Sequence, residues 1–320
     1  MKFKTLSNIK VSKLCLGTWA LGGKKYNNVA YGDISYKRCE EILNYSINKK
    51  VNFFDTANVY GDAEYKLGKI LKNFREDIFI GTKVGCVSFK KKLNFSKSNI
   101  INQINNTLKN LKSDYIDMVQ LYGPSIGDEK INEAFDTLNS FRERKKIRYI
   151  GISLRNPKDY LFFRKKISTD FVQCNFNLLD NRLLEKSLFE KINKDRTNIY
   201  IRTILNFGIF TEEFLNSRKK FKKNDHRSTW NYEQILKWID AVNKIKKISN
   251  RKIEDTAYRF CNSFNFSGLI IGANKINHIK TAIKNSNQKK LTKNELDKII
   301  SIRKDFEKKL FVKPKYKMKS

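Results

Sequence analysis

The sequence predicts an α/β fold of the (β/α)8 TIM-barrel type, and three observations carry that prediction. Short β-branched or aromatic runs alternate with amphipathic helical stretches at a period of about 30 to 35 residues, the mark of repeated βα units. Eight such runs occur, enough to close a parallel barrel. The rival doubly wound sheet needs a glycine-rich phosphate turn after an early strand, and neither Gly-x-Gly-x-x-Gly nor a Walker sequence is present; Leu21-Gly-Gly-Lys24 does not replace them.

In chain order the predicted strands are 13–17, 52–55, 78–82, 116–121, 149–152, 171–175, 199–203 and 268–271. Between them, Ile100, Ile104, Leu108 and Leu111 share one helical face, as do Ile131, Phe135 and Leu138, so each helix can cover the outside of a sheet. Thr292 and Glu295 form a Thr-x-x-Glu capping box ahead of Leu296, Ile299, Ile300 and Ile302, which predicts a C-terminal helix packed on the barrel. From Phe207 to Trp230 periodicity is lost and the chain turns polar, so 204–230 is expected to be a long functional loop rather than a linker. No boundary divides residues 1–320, and the basic tail 311–320 is expected to fray.

Composition narrows the functional classes. A chain of 320 residues with 40% hydrophobic and 12% aromatic content can bury a full core. Apolar stretches break well before the roughly 18 residues of a membrane span, and Met1-Lys-Phe-Lys leads into no signal segment, so a cytoplasmic protein without membrane contact is expected. The five cysteines are odd in number and far apart, which points to reduced thiols rather than a disulfide framework or a zinc site. The net charge of +34 invites a nucleic-acid reading, but lysine is spread over nearly every helix together with Asn and Ile, a compositional bias rather than a patch. Nucleic acid is therefore not the expected partner; a small molecule is. Oligomeric state is left open.

In a closed parallel barrel the reactive side chains lie where the strands end in βα loops. Asp55 closes the second predicted strand, Tyr60 follows in its loop, Lys83 stands just past the third, and the fourth runs into Tyr122. Strands about 4.8 Å apart let such side chains meet. A phenol whose ordinary pKa is about 10 is a poor acid at neutral pH, so Lys83 is expected to lower that of Tyr60 while Asp55 holds the ammonium group. The plainer alternative is an Asp–Lys pair lining the mouth, with Tyr60 as loop packing.

Several segments go further: Leu16-Gly-Thr-Trp19, Phe53-Phe-Asp-Thr-Ala-Asn-Val-Tyr-Gly61, Ile80-Gly-Thr-Lys-Val-Gly85, Asp114-Tyr-Ile-Asp117, Tyr149-Ile-Gly-Ile-Ser153, Val172-Gln173 with Asn177-Leu-Leu-Asp180, and Ile270-Ile-Gly-Ala273. In this order and spacing the chain resembles the aldo-keto reductase family over nearly its whole length. The resemblance implies an amino-terminal β-hairpin (1–12) closing the barrel base, an extended nicotinamide cofactor, and hydride transfer to or from a carbonyl carbon. It implies a catalytic set of Asp55, Tyr60, Lys83 and Tyr122, the last standing where a histidine is usual. A tyrosine there can orient a carbonyl but does not titrate near neutrality. Neither His226 nor His278 stands at a predicted strand end.

For the cofactor, the resemblance implies Gly17, Thr18 and Trp19 at the first strand end, with Trp19 lining the substrate pocket. Ser153 and Gln173 would hold the carboxamide, with Leu154 in place of the usual Asn. Arg202 stands where an aromatic often stacks on the nicotinamide, and Asn206, Gly208 and Ile209 would meet the pyrophosphate. Gly272, Asn274, Lys275, His278 and Lys280 fall at the ribose-phosphate end, and Ala282 replaces an Asn that often contacts adenine. Asp225-His-Arg227 resembles a short motif whose role would be to close over the cofactor. The expectation is an NAD(P)-dependent oxidoreductase, with NADPH preferred and NADH the alternative, interconverting a carbonyl and an alcohol on a small polar, sugar-derived substrate. The other reading is a catalytically weak nucleotide-binding barrel serving as a redox sensor or regulatory subunit.

Overall fold

A computed structural model of the chain describes residues 1–6, 9–23, 30–217 and 221–310. The predicted basic tail, 311–320, lies outside them.

Two antiparallel strands, β1 (Phe3–Leu6) and β2 (Ile9–Ser12), precede the barrel. Its strands are β3 (Leu14–Gly17), β4 (Phe53–Asp55), β5 (Phe79–Val84), β6 (Ile116–Tyr122), β7 (Ile147–Ser153), β8 (Phe171–Asn175), β9 (Asn198–Arg202) and β10 (Gly268–Gly272). They pair in parallel in that order, and β10 returns to β3 to close the ring. All eight predicted strands are therefore present. The bounds shift where pairing extends beyond the apolar run: β5 reaches Val84, so Lys83 belongs to the strand rather than following it, and Tyr122 is the last residue of β6. Thr203 falls outside β9 because its φ is +63°.

The outer layer comprises α1 (Tyr36–Asn48), α2 (Ala63–Ile70), α3 (Lys97–Leu111), α4 (Ile131–Glu143), α5 (Tyr160–Phe163), α6 (Leu188–Lys194), α7 (Glu212–Ser217), α8 (Tyr232–Ser249), α9 (Ile253–Asn262), α10 (Ile276–Ser286) and α11 (Lys293–Leu310). Ser35 and Ser96 cap α1 and α3 by accepting backbone N–H bonds, as short hydroxyls at helix starts do. Ile100, Ile104 and Leu111 of α3 and Ile131 and Leu138 of α4 are buried against the barrel, as their spacing predicts. The Thr292–Glu295 capping box forms, with Thr292 N–H donating to Glu295 at 2.9 Å and Glu295 N–H to Thr292 at 3.3 Å. The helix it starts packs on the barrel, chiefly against α8, with Ile299 and Ile302 buried in the core.

Loop 204–230 is not structureless: it holds two 3-10 turns (Asn206–Gly208 and His226–Thr229) and α7, and Tyr31 forms an antiparallel bridge with Asp225. The barrel floor is filled by Phe53, Phe79, Phe171, Tyr200, Met118 and Ile270, with Leu6 and Val11 of the hairpin packed beneath them. Asn52 ties the hairpin on, accepting from Ser12 N–H and donating to Lys10 O and Asp77 O. At the same lower end, Asp117 is buried between Arg75 and Arg148, which also face the Tyr115 ring. The Asp114–Asp117 stretch thus braces the barrel away from the mouth. All five cysteines are free and buried, and no described helix is long and apolar enough to cross a membrane.

Candidate active site

Inward-facing residues recur every second position along a strand, so Asp55 stands one layer above Phe53, and Lys83 two layers above Phe79. Lys83 Nζ donates to both oxygens of Asp55 and to Thr56 O, each at 2.8 Å. Lys83 is 1% exposed and Asp55 4%. Burial pushes the Lys83 ammonium down from its ordinary value, and Asp55 pulls it back up. From the opposite wall, Gln173 Nε2 donates to Asp55 Oδ1 at 2.7 Å. Thr18, fully buried, gives both its N–H (2.8 Å) and its hydroxyl (3.2 Å) to Asp55 O, bracing that residue's backbone from inside the core.

The Tyr60 ring sits 5.1 Å from Lys83 Nζ, and its centroid is 6.5 Å from that of Tyr122 in an edge-on arrangement. Both rings are half-buried at the mouth. The expected acidification of Tyr60 by Lys83 is not what this arrangement gives. Burial pushes the phenol well above its ordinary value, Tyr122 and Asp55 push it further, and it is Arg202 that pulls it down. The reason is pairing: bidentate Asp55 cancels the Lys83 charge at the distance of the phenol. Tyr122 is raised by burial as well, with Arg202 lowering it.

A second network joins β7, β8 and β9. Arg202 Nη1 donates to Ser153 Oγ at 2.8 Å and Gln173 Oε1 at 3.0 Å, Nη2 donates to Leu154 O at 3.0 Å, and Ser153 Oγ donates to Gln173 Oε1 at 3.1 Å. Arg202, Ser153, Gln173, Asp55 and Lys83 therefore form one continuous chain of hydrogen bonds across the barrel. Sequence reasoning missed both the Gln173–Asp55 bond and the Arg202 contacts; the signal for each was only that these side chains occupy inward-facing positions near the carboxyl ends of their strands.

Trp19 packs against Tyr60, Tyr31, Phe89, Phe207 and His226. His226 is therefore at the rim although it lies on no strand, brought there by the long loop. Its Nδ1–H donates to Ala30 O at 2.7 Å, its Nε2 is buried without a partner among the described residues, and burial pushes its pKa down to about 4. Asp225 accepts from Arg227 N–H, Nε and Nη2, and Arg227 Nη1 donates to Phe207 O. The Asp225–Arg227 segment thus latches the two halves of the loop and the β3–α1 connection together. Asn206 and Phe207 have φ of +42° and +56°, and Gly208, at +90°, lies beside Arg227. Ile209 is buried in the core.

At the far side of the mouth, Gly272 ends β10 with open space around it, and Lys275 precedes α10. Asn274 and Lys275 line a cleft of about 260 Å³ together with Ala20, Tyr31 and Arg38. Asn274 Oδ1 is buried without a partner among the described residues, an acceptor that suits an amino or hydroxyl donor such as a nucleotide carries, and the cleft beside it is lined by Arg38, Lys275 and Asp33. His278 is half-buried and pushed down by burial and by Lys275. Lys280 lies near the ring of Tyr45 on α1, at 5.9 Å, and Ala282 is buried. Gly17, paired in register with Asp55 and Gly272, lets neighbouring backbone approach: a Cβ there would lie 3.3 Å from Ile271 O. Among the described residues no cluster of metal-ligating side chains occurs.

The model of the Aldo/keto reductase family matches residues 13–304. A relative in Bacillus subtilis (strain 168), described as uncharacterized oxidoreductase YqkF, is 25% identical over 296 residues, covering 91% of this chain and 92% of that protein. The NADH-specific methylglyoxal reductase of Escherichia coli (strain K12) is 25% identical over 265 residues, covering 77% of this chain and 79% of that protein. The solved structure of the glycerol dehydrogenase AKR11B4 from Gluconobacter oxydans has a similar fold, with a TM-score of 0.74 at 22% identity over 98% of each chain.

Proposed function

We propose, from the premise that this chain belongs to the aldo/keto reductase family and is an NAD(P)H-dependent oxidoreductase, that it reduces the carbonyl of a small polar, sugar-derived or dicarbonyl compound, with Tyr60 as the proton donor. The observation that carries this reading is the buried Lys83–Asp55 pair beneath the Tyr60 ring. A nicotinamide held in this site would supply the hydride. Tyr60 hands its proton to the nascent alkoxide, and Lys83, fixed by Asp55 and Thr56 O, stays charged under the phenol as it becomes phenolate. Arg202 adds the positive field that Asp55 removes from Lys83. Tyr122, across from Tyr60, orients the carbonyl oxygen by donating a hydrogen bond.

Ser153 and Gln173 would hold the carboxamide, and Asn206 and Gly208 would meet the pyrophosphate. Lys275 and Arg38, the latter paired with Glu41, outnumber Asp33 at the same cleft, a balance that favours a 2′-phosphate, hence NADPH over NADH. The names of two similar proteins, a methylglyoxal reductase and a glycerol dehydrogenase, support a small polar substrate. A cytoplasmic location, with the cysteines as buried thiols, completes the reading.

The raised phenol of Tyr60 favours a second reading, a barrel that binds the nucleotide and reports redox state with little turnover. Tyr60→Phe separates the two. Reduction of aldehydes and ketones should fall by roughly 10²–10⁴-fold while cofactor affinity stays within about twofold. Equal turnover in the variant refutes the assignment, and tight cofactor binding by the wild type with no turnover on any carbonyl supports the sensor.

A further inference from the structure

Lys83 is matched by a carboxylate, whereas among the described residues Arg202 is held only by neutral oxygens: the Ser153 hydroxyl, the Gln173 side-chain amide and the main-chain carbonyls of Leu154 and, at 3.5 Å, Gln173. One negative and two positive charges therefore meet in this network, leaving one positive charge unmatched. Arginine does not deprotonate in a protein, so that charge is present at every working pH. Nor can the guanidinium swing away cheaply, since Ser153, Gln173 and Leu154 would each lose a bonded donor in a site where Ser153 and Gln173 are at most 3% exposed. Its field reaches its neighbours, lowering both Tyr60 and Tyr122.

We infer that Arg202 makes the cofactor cradle discriminate between the two oxidation states of the nicotinamide, holding the neutral reduced ring and repelling the cationic oxidised one. The inference rests on the reading above that Ser153 and Gln173 hold the carboxamide. The guanidinium bonds those same two side chains, so a ring whose carboxamide they hold lies within a few ångströms of its charge. Reduced and oxidised nucleotides share their adenine, riboses and pyrophosphate, and differ by one positive charge on the ring. Contacts to the shared parts cancel in the ratio of their affinities, so the ratio reports the net field at the ring, and its change on replacing Arg202 reports the part that Arg202 supplies. The consequence is directional: the chain loads with reduced cofactor, releases the oxidised product readily, and works as a reductase.

The test is binding, not turnover. NADPH and NADH are titrated against the full-length chain by their fluorescence, and NADP+ and NAD+ by competition. In the wild type the reduced form should bind at least about tenfold more tightly than its oxidised partner. Arg202→Gln should close the gap to about threefold or less, chiefly by strengthening the oxidised form, and Arg202→Lys should keep most of it. Equal affinities for the two forms in the wild type overturn the inference, as does an Arg202→Gln variant that weakens both forms by the same factor, the result of a merely structural role. Since the wild-type ratio decides by itself, a variant that fails to fold does not rescue the idea. Failure of both the reduced and the oxidised forms to bind the wild type is a different result, which overturns the nicotinamide reading together with this inference.

Discussion

Four strands contribute to both the floor and the mouth of the barrel, and the two layers solve burial in opposite ways. Phe53, Phe79, Phe171 and Tyr200 fill the floor with ring contacts 4.8 to 6.1 Å between centroids. One or two layers above them, Asp55, Lys83, Gln173 and Arg202 fill the mouth with hydrogen bonds of 2.7 to 3.0 Å. Asp55, Lys83 and Gln173 are buried almost as deeply as the rings. Burial alone therefore does not separate scaffold from site; the way each side chain is satisfied does. The apolar floor also excludes water from beneath the Lys83–Asp55 pair, which strengthens its electrostatics and makes either partner costly to leave alone.

The sharpest way to break this comparison is to remove one member from each layer. Lys83→Met leaves Asp55 buried without its cation and should cost about 3–5 kcal/mol of stability, with turnover abolished. Phe53→Ala should cost a similar ~3–5 kcal/mol through the cavity it opens, yet keep turnover below its unfolding transition. Asp55→Leu with Lys83→Met should return to within about 1 kcal/mol of wild type in urea denaturation while staying inactive. If the double variant is as unstable as Lys83→Met, the pair is not the closed unit described here.

The loop over the mouth gives a smaller effect with a defined pH window. His226 is pushed from 6.5 to about 4, so between those values the unfolded chain binds a proton that the folded one refuses. Stability is then full above about pH 6.5 and falls by about 3 kcal/mol as the pH drops to about 4, with no further loss below. Denaturation midpoints measured across that range should slope in the wild type and flatten in His226→Asn; parallel slopes would show that some other group is responsible.

Smallest is a packing test of the floor. A Cβ on Gly268 would lie 2.0 Å from Tyr200 Cε1, inside the filled interior. Gly268→Ala should cost about 1–3 kcal/mol with cofactor affinity unchanged. A loss of affinity instead would show that strain at the floor is transmitted to Arg202, two residues beyond Tyr200 on β9.

Much of this was legible from the residues. Strand runs such as 171–175 and the spacing of Ile100, Ile104 and Leu111 depend on local periodicity, which folding preserves. The strand bounds near Lys83 and Thr203 were less so, because cross-strand pairing carried β5 on to Val84 and a left-handed backbone stopped β9 at Arg202. Thr18 illustrates a different limit. Its place in Leu16-Gly-Thr-Trp19 marks it as part of a site, but its hydroxyl turns inward to Asp55 O.

The sequence by itself determined the closed barrel, its inward-facing positions and the gathering of Asp55, Tyr60, Lys83 and Tyr122 at one rim, since alternation along a strand and the direction of parallel strands are local properties. Only the tertiary structure decided which groups touch. Gln173 reaches Asp55 from a strand four places round the ring, Arg202 bonds Ser153 across β8, and His226 arrives at the mouth on a loop about 170 residues after Asp55. Such contacts are set by ring closure and by the choice of rotamer in a crowded interior, and neither is written in the order of residues along any one strand.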